Sequence, residues 1–303
     1  MPRCACIDIG SNTTRLLVAE ADGTRLHELV SERTFTRLGA TAGAPGEVGP
    51  HKIAEVASIV ARQARLARDL GVDSLRVVAT AAVRHAMDKR ALVAAIHAAC
   101  GQRLEILSGE DEARLAFHGA IGTLVVPPAG LLGVVDVGGA STELVVGTAG
   151  GGVTWSVSLP VGSSLLTDAD LPSDPPTPRE LARLREKLAG VFAPVQAPQP
   201  AAAYAVGGSA TSLRWLVGAV LEYETLERAV RVLSSDEIYE VAKRFELDSR
   251  RVKLLPAGVL LLEKFSQMLG QPLQIGKGGL REGIILDQLN GNTDGSPSEA
   301  VAA

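Results

Sequence analysis

The sequence predicts an α/β protein of two lobes, built on one duplicated unit with a cleft between the copies. Three observations carry this. Short apolar strands alternate with amphipathic helices along the chain. A stretch that begins at Asp8 returns in the same register beginning at Asp136. Glycine is frequent, 32 of 303 residues, and gathers in turns that follow strands.

Composition sets the class before any element is placed. Apolar residues make up 46% and charged residues 21%, which is ordinary for a globular protein and excludes bulk disorder. A chain this long buries about three-quarters of its unfolded surface and needs no staple. The net charge is −4 and aromatics are 3%, so neither a basic field nor a stacking platform points to nucleic acid. A polyanionic ligand has to be met by a local cluster of Arg and Lys. Cys4, Cys6 and Cys100 are too few for a disulfide framework and suit a reducing cytoplasm. With no Cys/His cluster after them, Cys4 and Cys6 read as small strand residues packed on one face. The first residues lack the pattern of a signal peptide, and no stretch reaches about 18 uncharged apolar residues, so no membrane segment is expected.

The elements follow in order. CACIDIG, TRLLVAE and TRLHELVSERTF, separated by Ser11-Asn12 and Asp22-Gly23, read as three antiparallel strands. Residues 51–70 form a helix, because Ile53, Val56, Ile59, Val60, Ala64 and Ala67 recur at helical steps and Gly71 stops it. SLRVVAT is a strand, DKRALVAAIHAAC a helix, RLEILS a strand and DEARLAFHGAIGTL a helix. Pro127-Pro128 then interrupt the chain, giving a first lobe of 1–126 and a second of 127–289. LLGVVDVGG, STELVVG and VTWSVSLPVG are three more strands. Two proline-rich connectors flank a helix at 179–192, AAYAVGG is a strand, and three helices follow from SATSLRWLVGAVLEYETL onward. PLQIGKGG is a strand and turn, and the closing helix 280–290 is expected to pack back on the first lobe. The remainder, 290–303, reads as a disordered tail.

The duplicated stretch carries the chemistry. DIGSNTTRLLV and DVGGASTELVV share Asp8/Asp136, Gly10/Gly138, Thr14/Thr142, Leu16/Leu144 and Val18/Val146. Each copy is a strand, an acidic residue, a turn of small residues and a second strand. Such a turn lets backbone N–H groups close on an anion, and Ser11, Asn12, Thr13, Ser141 and Thr142 add short donors. An ordinary Asp-Gly hairpin would look the same in one copy; two copies in register favour phosphate. A third turn, AVGGSATSLRW, sets Gly208 and Ser209 at a helix start, where anions also bind.

These loops resemble those of the acetate and sugar kinase, Hsp70 and actin superfamily, with ribonuclease H-like lobes. DIGSNTTRLLV, ATAAVRHA, LSGEDEARLAFHG, VVDVGGASTELVVG, VGGSATSL, LLPAGVLLL and GGLREGIIL resemble, in the same order, the exopolyphosphatase/guanosine pentaphosphate phosphatase family. The resemblance spans residues 7–286 and covers a catalytic core without the extra C-terminal domains of longer members. Ala140 and Ala210 stand where that family usually has glycine, and Thr13 where it often has serine.

The resemblance implies hydrolysis of a terminal phosphoanhydride with Mg²⁺ as cofactor. It makes Glu112 the catalytic glutamate, with Asp136 and Glu143 beside it; a first-turn acid at a helix start would fit Glu112 equally well from the residues alone. Asp8, Asp136 and Glu143 are the candidate metal ligands. Phosphate would be held by Gly10, Ser11, Asn12, Thr13, Arg15 and Arg84, by Gly138, Gly139, Ala140, Ser141 and Thr142, and by Gly208, Ser209 and Lys277, with Arg281 extending the basic channel. Arg15 occupies in the first hairpin the place of Glu143 in the second. The run Arg250, Arg251, Lys253 reads as a solvated face, His97 as partly buried packing, and Tyr204 and Trp215 as core.

The preferred substrate is inorganic polyphosphate, with guanosine pentaphosphate as the alternative. An ATP-dependent small-molecule kinase would share the hairpins but has no reason to keep GEDEAR and ATAAVR. A non-enzymatic actin-like module has no use for Glu112 and Glu143. The oligomeric state is left open, a homodimer included.

Overall fold

The computed structural model describes residues 1–22, 25–38 and 46–293. The first half runs β1 (Arg3–Ile9), β2 (Thr13–Asp22), β3 (Arg25–Phe35), α1 (Pro50–Asp69), β4 (Ser74–Ala79), α2 (Ala81–Arg84), α3 (Lys89–Cys100), β5 (Leu104–Ile106) and α4 (Gly109–Gly122). The second runs β6 (Leu132–Val137), β7 (Thr142–Thr148), β8 (Gly152–Leu159), α5 (Ser163–Asp170), α6 (Pro178–Phe192), β9 (Ala202–Val206), α7 (Gly207–Val217), β10 (Val220–Leu221), α8 (Tyr223–Ser235), α9 (Ile238–Arg244), α10 (Ser249–Val252), α11 (Leu255–Leu269), β11 (Leu273–Ile275) and α12 (Leu280–Thr293).

These strands make two mixed sheets flanked by helices, of the actin and Hsp70 type. Their orders are β3-β2-β1-β4-β5 and β10-β11-β9-β6-β7-β8. The duplication is visible in the pairings. β1 is antiparallel to β2 and parallel to β4, as β6 is antiparallel to β7 and parallel to β9. Asp8 is the cross-strand partner of Arg15 and lies in register with Val78; Asp136 is the partner of Glu143 and lies in register with Val206.

Apolar periodicity in the helices accounts for the cores. Behind the first sheet, Ile7, Leu16 and Val77 pack with Val56, Val60 and Ala64 of α1 and Leu92 and Ile96 of α3. Behind the second, Val135, Leu144 and Ala205 pack with Leu184 and Leu188 of α6 and a long apolar face of α11. The inner faces are covered by two helices that cross over. α4 lays Ala113, Phe117 and Ala120 on Val134, Val145 and Val206 of the second sheet. α12 lays Leu280, Ile284 and Ile285 on Cys4, Cys6 and Val78 of the first. Both buried cysteines thus pack against α12.

The expected long helix from Ser209 does not continue through Glu224. Gly218 at φ 98° ends α7, a two-residue strand pairs with β11, and α8 begins afresh at Tyr223. The break leaves Trp215 71% exposed on α7, so it is not core, while Tyr204 is buried. His97 is also exposed, on the outer face of α3. Helix α5 was not foreseen: its run of small and polar residues lacks strong periodicity, and it follows the Gly162 turn directly. The closing helix continues past Asn290 to Thr293, and residues 294–303 of the expected tail lie outside the described residues. Among the described residues, no helix is long and apolar enough to cross a membrane.

Candidate active site

The two hairpin turns meet at the mouth of an interlobe cleft of about 970 Å³. Each closes identically. Gly10 N–H donates to Thr13 O at 3.0 Å, and Gly138 N–H to Ser141 O at 3.0 Å. Carbonyls at each tip are taken up by backbone donors of the protein. Asn12 O accepts from Thr36 and Arg37 N–H at 2.9 and 3.0 Å; Gly138 O accepts from Ser163 N–H and Gly139 O from Ser164 N–H, each at 2.9 Å. With these carbonyls engaged, small-residue turns of this kind suit an anion through their remaining N–H groups. Neither Ala140 nor Ala210 has a positive φ, so the methyl in place of the family's glycine costs no backbone strain.

Most of the sequence-derived residues line this cleft: Asp8, Gly10, Ser11, Asn12, Thr13, Arg15, Glu112, Asp136, Gly138, Gly139, Ala140, Ser141, Glu143, Gly208, Lys277 and Arg281. Three do not. Thr142 is wholly buried and its hydroxyl donates to Val161 O at 2.6 Å, which ties the hairpin to the strand end beyond it. The Ser209 hydroxyl is buried against Gly258 without a partner. Arg84 stands behind Glu112, where Nη1 donates to Glu112 Oε2 at 3.0 Å and to Leu107 O at 2.8 Å.

Glu112 sits in the first turn of α4, which Ser108 caps by accepting from Asp111 N–H at 3.0 Å. The cap and the preceding β5 aim this turn at the cleft. Burial raises the Glu112 pKa to about 7, against the lowering influence of Arg84. Glu143 is only 1% exposed. Its Oε1 accepts from Ser158 Oγ at 2.8 Å, and Ser158 is its cross-strand partner on β8. Burial and then the charges of Glu112 and Asp136 push its pKa well above the usual carboxylate range. Burial and then Asp8 raise Asp136 to about 6. Burial also raises Asp8, while Arg15 and Arg281 oppose it; Asp8 Oδ1 is enclosed without a hydrogen-bond partner.

The cationic wall contains a residue that the charge run concealed. Arg251 is 5% exposed, against Gly208, and lines the cleft; it is not part of a solvated face. Burial and then Arg15 lower its pKa to about 9, and burial and then Arg281 lower that of Arg15 to about 10. The Nε of each is buried and unpartnered. Buried cations that repel one another and lack partners are poised for an anion. Within RRVK only Arg251 and Val252 turn inward, and nothing in the run itself marks which arginine does so. Thr80, Gly207 and Thr211 also line the wall. Thr80 and Gly207 follow the parallel strands β4 and β9, which pair with the strands that carry Asp8 and Asp136.

The carboxylates offer hard oxygen ligands. Among the described residues, no three His, Cys, Asp or Glu side chains converge closely enough to enclose a metal ion. The unpartnered Asp8 oxygen and the mutual repulsion of Asp8 and Asp136 suit a Mg²⁺ that keeps most of its coordination for water and phosphate.

Comparison with known proteins agrees with the motif pattern. Exopolyphosphatase 2 of Mycobacterium tuberculosis is 28% identical over 312 residues, covering 95% of this chain and 97% of the relative. Exopolyphosphatase 1 of Mycobacterium bovis is 29% identical, covering 97% and 90%. The crystal structure of the Aquifex aeolicus Ppx/GppA family member superposes with a TM-score of 0.83 at 27% identity, covering 98% of this chain and 99% of that one. An exopolyphosphatase structure from Cytophaga hutchinsonii shares the fold, with a TM-score of 0.86 at 20% identity over 95% and 98%. The family model for the Ppx/GppA phosphatases matches residues 17–292, and the chain belongs to that family.

Proposed function

We propose that this protein hydrolyses the terminal phosphoanhydride of inorganic polyphosphate, releasing orthophosphate and a chain shorter by one unit. One observation carries the reading: Glu112, a carboxylate with a pKa near 7, faces two phosphate-type hairpins across a cleft lined by unpartnered arginines. The terminal phosphate sits between the hairpin tips, where backbone N–H groups hold its oxygens. Arg15, Arg251 and Lys277 offset its charge. A water attacks phosphorus, the bridging P–O bond breaks, and the water's proton passes to Glu112. Arg84 fixes the Glu112 carboxylate and keeps it ionised for that role. Asp8 and Asp136, with Glu143 nearby, are the residues that would hold Mg²⁺, which when bound supplies charge neutralisation at the phosphate oxygens.

The cleft wall among its described residues is made of turn backbone, hydroxyls, carboxylates and cations, the groups that hold phosphate and metal, and none of them is an aromatic base platform. This favours the inorganic chain over guanosine pentaphosphate. The test is a phosphate-release assay on long-chain polyphosphate, tripolyphosphate, guanosine pentaphosphate and ATP. Polyphosphate is expected to be turned over with the highest kcat/KM. Preference for the nucleotide reverses the assignment, and phosphoryl transfer from ATP to a sugar or acetate removes the hydrolase reading altogether.

A further inference from the structure

Two short helices, α5 and α10, each join the cleft to a second space in the later half of the chain. Ser163, at the start of α5, lines the cleft and holds the second hairpin, donating from N–H and Oγ to Gly138 O at 2.9 and 3.1 Å. One turn on, Thr167 donates to Ser163 O at 2.7 Å, and there Thr167, Asp168 and Leu171 face a pocket of about 880 Å³. In α10, Arg251 lines the cleft, while the next two residues, Val252 and Lys253, line the pocket.

The pocket is preformed. One wall is the proline-rich connector between α5 and α6, and it is fixed from two sides. Glu180 accepts from Ser173 N–H and Oγ at 3.3 and 2.8 Å and from Thr177 N–H and Oγ1 at 2.6 and 2.8 Å. Asp174 Oδ1 accepts from Ile238 N–H, at the start of α9, at 2.9 Å. Pro172 and Pro176 stiffen the same wall. Buried Leu171, Leu233, Val241, Val252 and Pro256 supply an apolar floor. A concave apolar space with a few convergent polar groups, about 300–1,000 Å³ in size, is the usual form of a small-molecule site.

Charge selects the occupant. Asp168, Asp174 and Asp236 line the pocket, with Lys253 the one cation among the described residues of its wall. Asp236 is taken up by Arg244 at 2.8 Å. Lys253 reaches Asp168 only at 3.9 Å, with both side chains about half exposed. Asp174 has no ion-pair partner among the described residues, and its one printed hydrogen bond is to a backbone N–H. Carboxylate is therefore in surplus over an apolar floor, which suits a cation with a hydrocarbon body and repels anions.

We propose that this pocket is an effector site for a small organic cation, an alkyl or aryl group bearing one ammonium. The hydrocarbon lies on the floor and the ammonium meets Asp168 and Asp174. Occupancy bears on α5 and α10 together, and so on the support of the second hairpin and on Arg251. The ligand therefore changes how tightly the cleft holds phosphate. The binding stands apart from the functional reading above; the effect on the cleft rests on it.

The probes are phenethylammonium and hexylammonium, with phenethyl alcohol and 3-phenylpropionate as neutral and anionic counterparts, titrated calorimetrically into the full chain. The ammonium ions are expected to bind, the alcohol about tenfold more weakly and the carboxylate not at all. Asp168→Asn/Asp174→Asn keeps side-chain size and the acceptor for Ile238, and is expected to weaken ammonium binding about tenfold. At saturation the ammonium ions should shift the tripolyphosphate KM about fivefold in the parent and leave it in place in the variant at the same concentration. Failure of both ammonium ions to bind overturns the site, as does equal binding by the alcohol or by the variant. Binding with an unmoved KM overturns the effector role. An equal KM shift in the variant does the same, since it marks pairing of probe and substrate in solution. A parent that cleaves guanosine pentaphosphate but no polyphosphate overturns the functional reading alone, and the KM arm is then run on that nucleotide.

Discussion

Arg15 and Glu143 occupy the same position in two copies of one hairpin, each the cross-strand partner of the aspartate one residue before the end of the preceding strand. The duplicated backbone is symmetric and the chemistry is not. One copy puts a cation beside its aspartate and the other a carboxyl. On the proposed function, Arg15 adds positive charge for phosphate oxygens on the first side, and Asp136, Glu143 and the opposing Glu112 add carboxyl groups with raised pKa on the second.

Glu112→Gln keeps the size of the side chain and its place in α4 but cannot take a proton. Turnover is expected to fall by roughly 10²–10⁴ while substrate binding persists. Steady-state kinetics with a separate binding measurement check this. Near-parental kcat would reduce Glu112 to a helix-start acid.

The acid limb of the kcat profile should follow Glu112, rising through a pH near its pKa of about 7. Arg84 lowers that pKa by its hydrogen bond and its charge. Arg84→Ala therefore shifts the limb to higher pH, and Arg84→Lys, which restores charge, shifts it less. An Arg84→Ala profile that keeps its midpoint and changes only KM would mean that Arg84 touches substrate.

Stability should also depend on pH, with a sign opposite to that of surface carboxylates. Asp8, Asp136, Glu112 and Glu143 all bind their protons more tightly in the folded protein. Their stabilisation is complete below the unfolded values of about 4 and is lost as pH rises through the folded ones. The ligand-free protein should lose Tm between about pH 4.5 and pH 7. Asp136→Asn should flatten that slope, and thermal melts across the range decide the matter. An equal slope in parent and variant would show that these groups titrate normally.

Much of this was legible in sequence because it depends on local pattern. The hairpin turns, the Asp8/Asp136 register and the placement of Glu112 after a strand follow from the repeat and from helix-start chemistry. What escaped depends on tertiary placement. Arg251 is indistinguishable from Arg250 in RRVK, and only the docking of α10 under Gly208 buries one and leaves the other on Phe35. Arg84 follows its strand as expected, yet the cleft wall ends at Thr80 and Ala81, and the arginine meets Glu112 from behind. Trp215 lies on an apolar-looking helix whose outer face no later element covers among the described residues.

The last prediction concerns the place where the two halves cross. α4 and α12 pass each other at glycines: a Cβ at Gly119 would overlap Gly279 O, and one at Gly283 would overlap Leu115 O. Both obstacles are backbone, so neither can swing aside. α4 carries Glu112 at one end, and α12 begins just after the turn that carries Lys277. Forcing the helices apart therefore costs stability and also displaces Glu112 and Lys277. Gly283→Ala is expected to destabilise by about 1–3 kcal/mol, the usual cost of overpacking. Its kcat should fall even where the protein remains folded, since a small displacement of a positioned base is costly. Gly190→Ala on α6 is the control: nothing lies within 4 Å of an added Cβ there. A helical glycine in open space should gain up to about 1 kcal/mol on replacement by alanine. Thermal melts and tripolyphosphate kinetics of both variants are the measurement. A Gly283→Ala protein as stable and active as the parent would show that the crossing has slack and does not hold Glu112 in position.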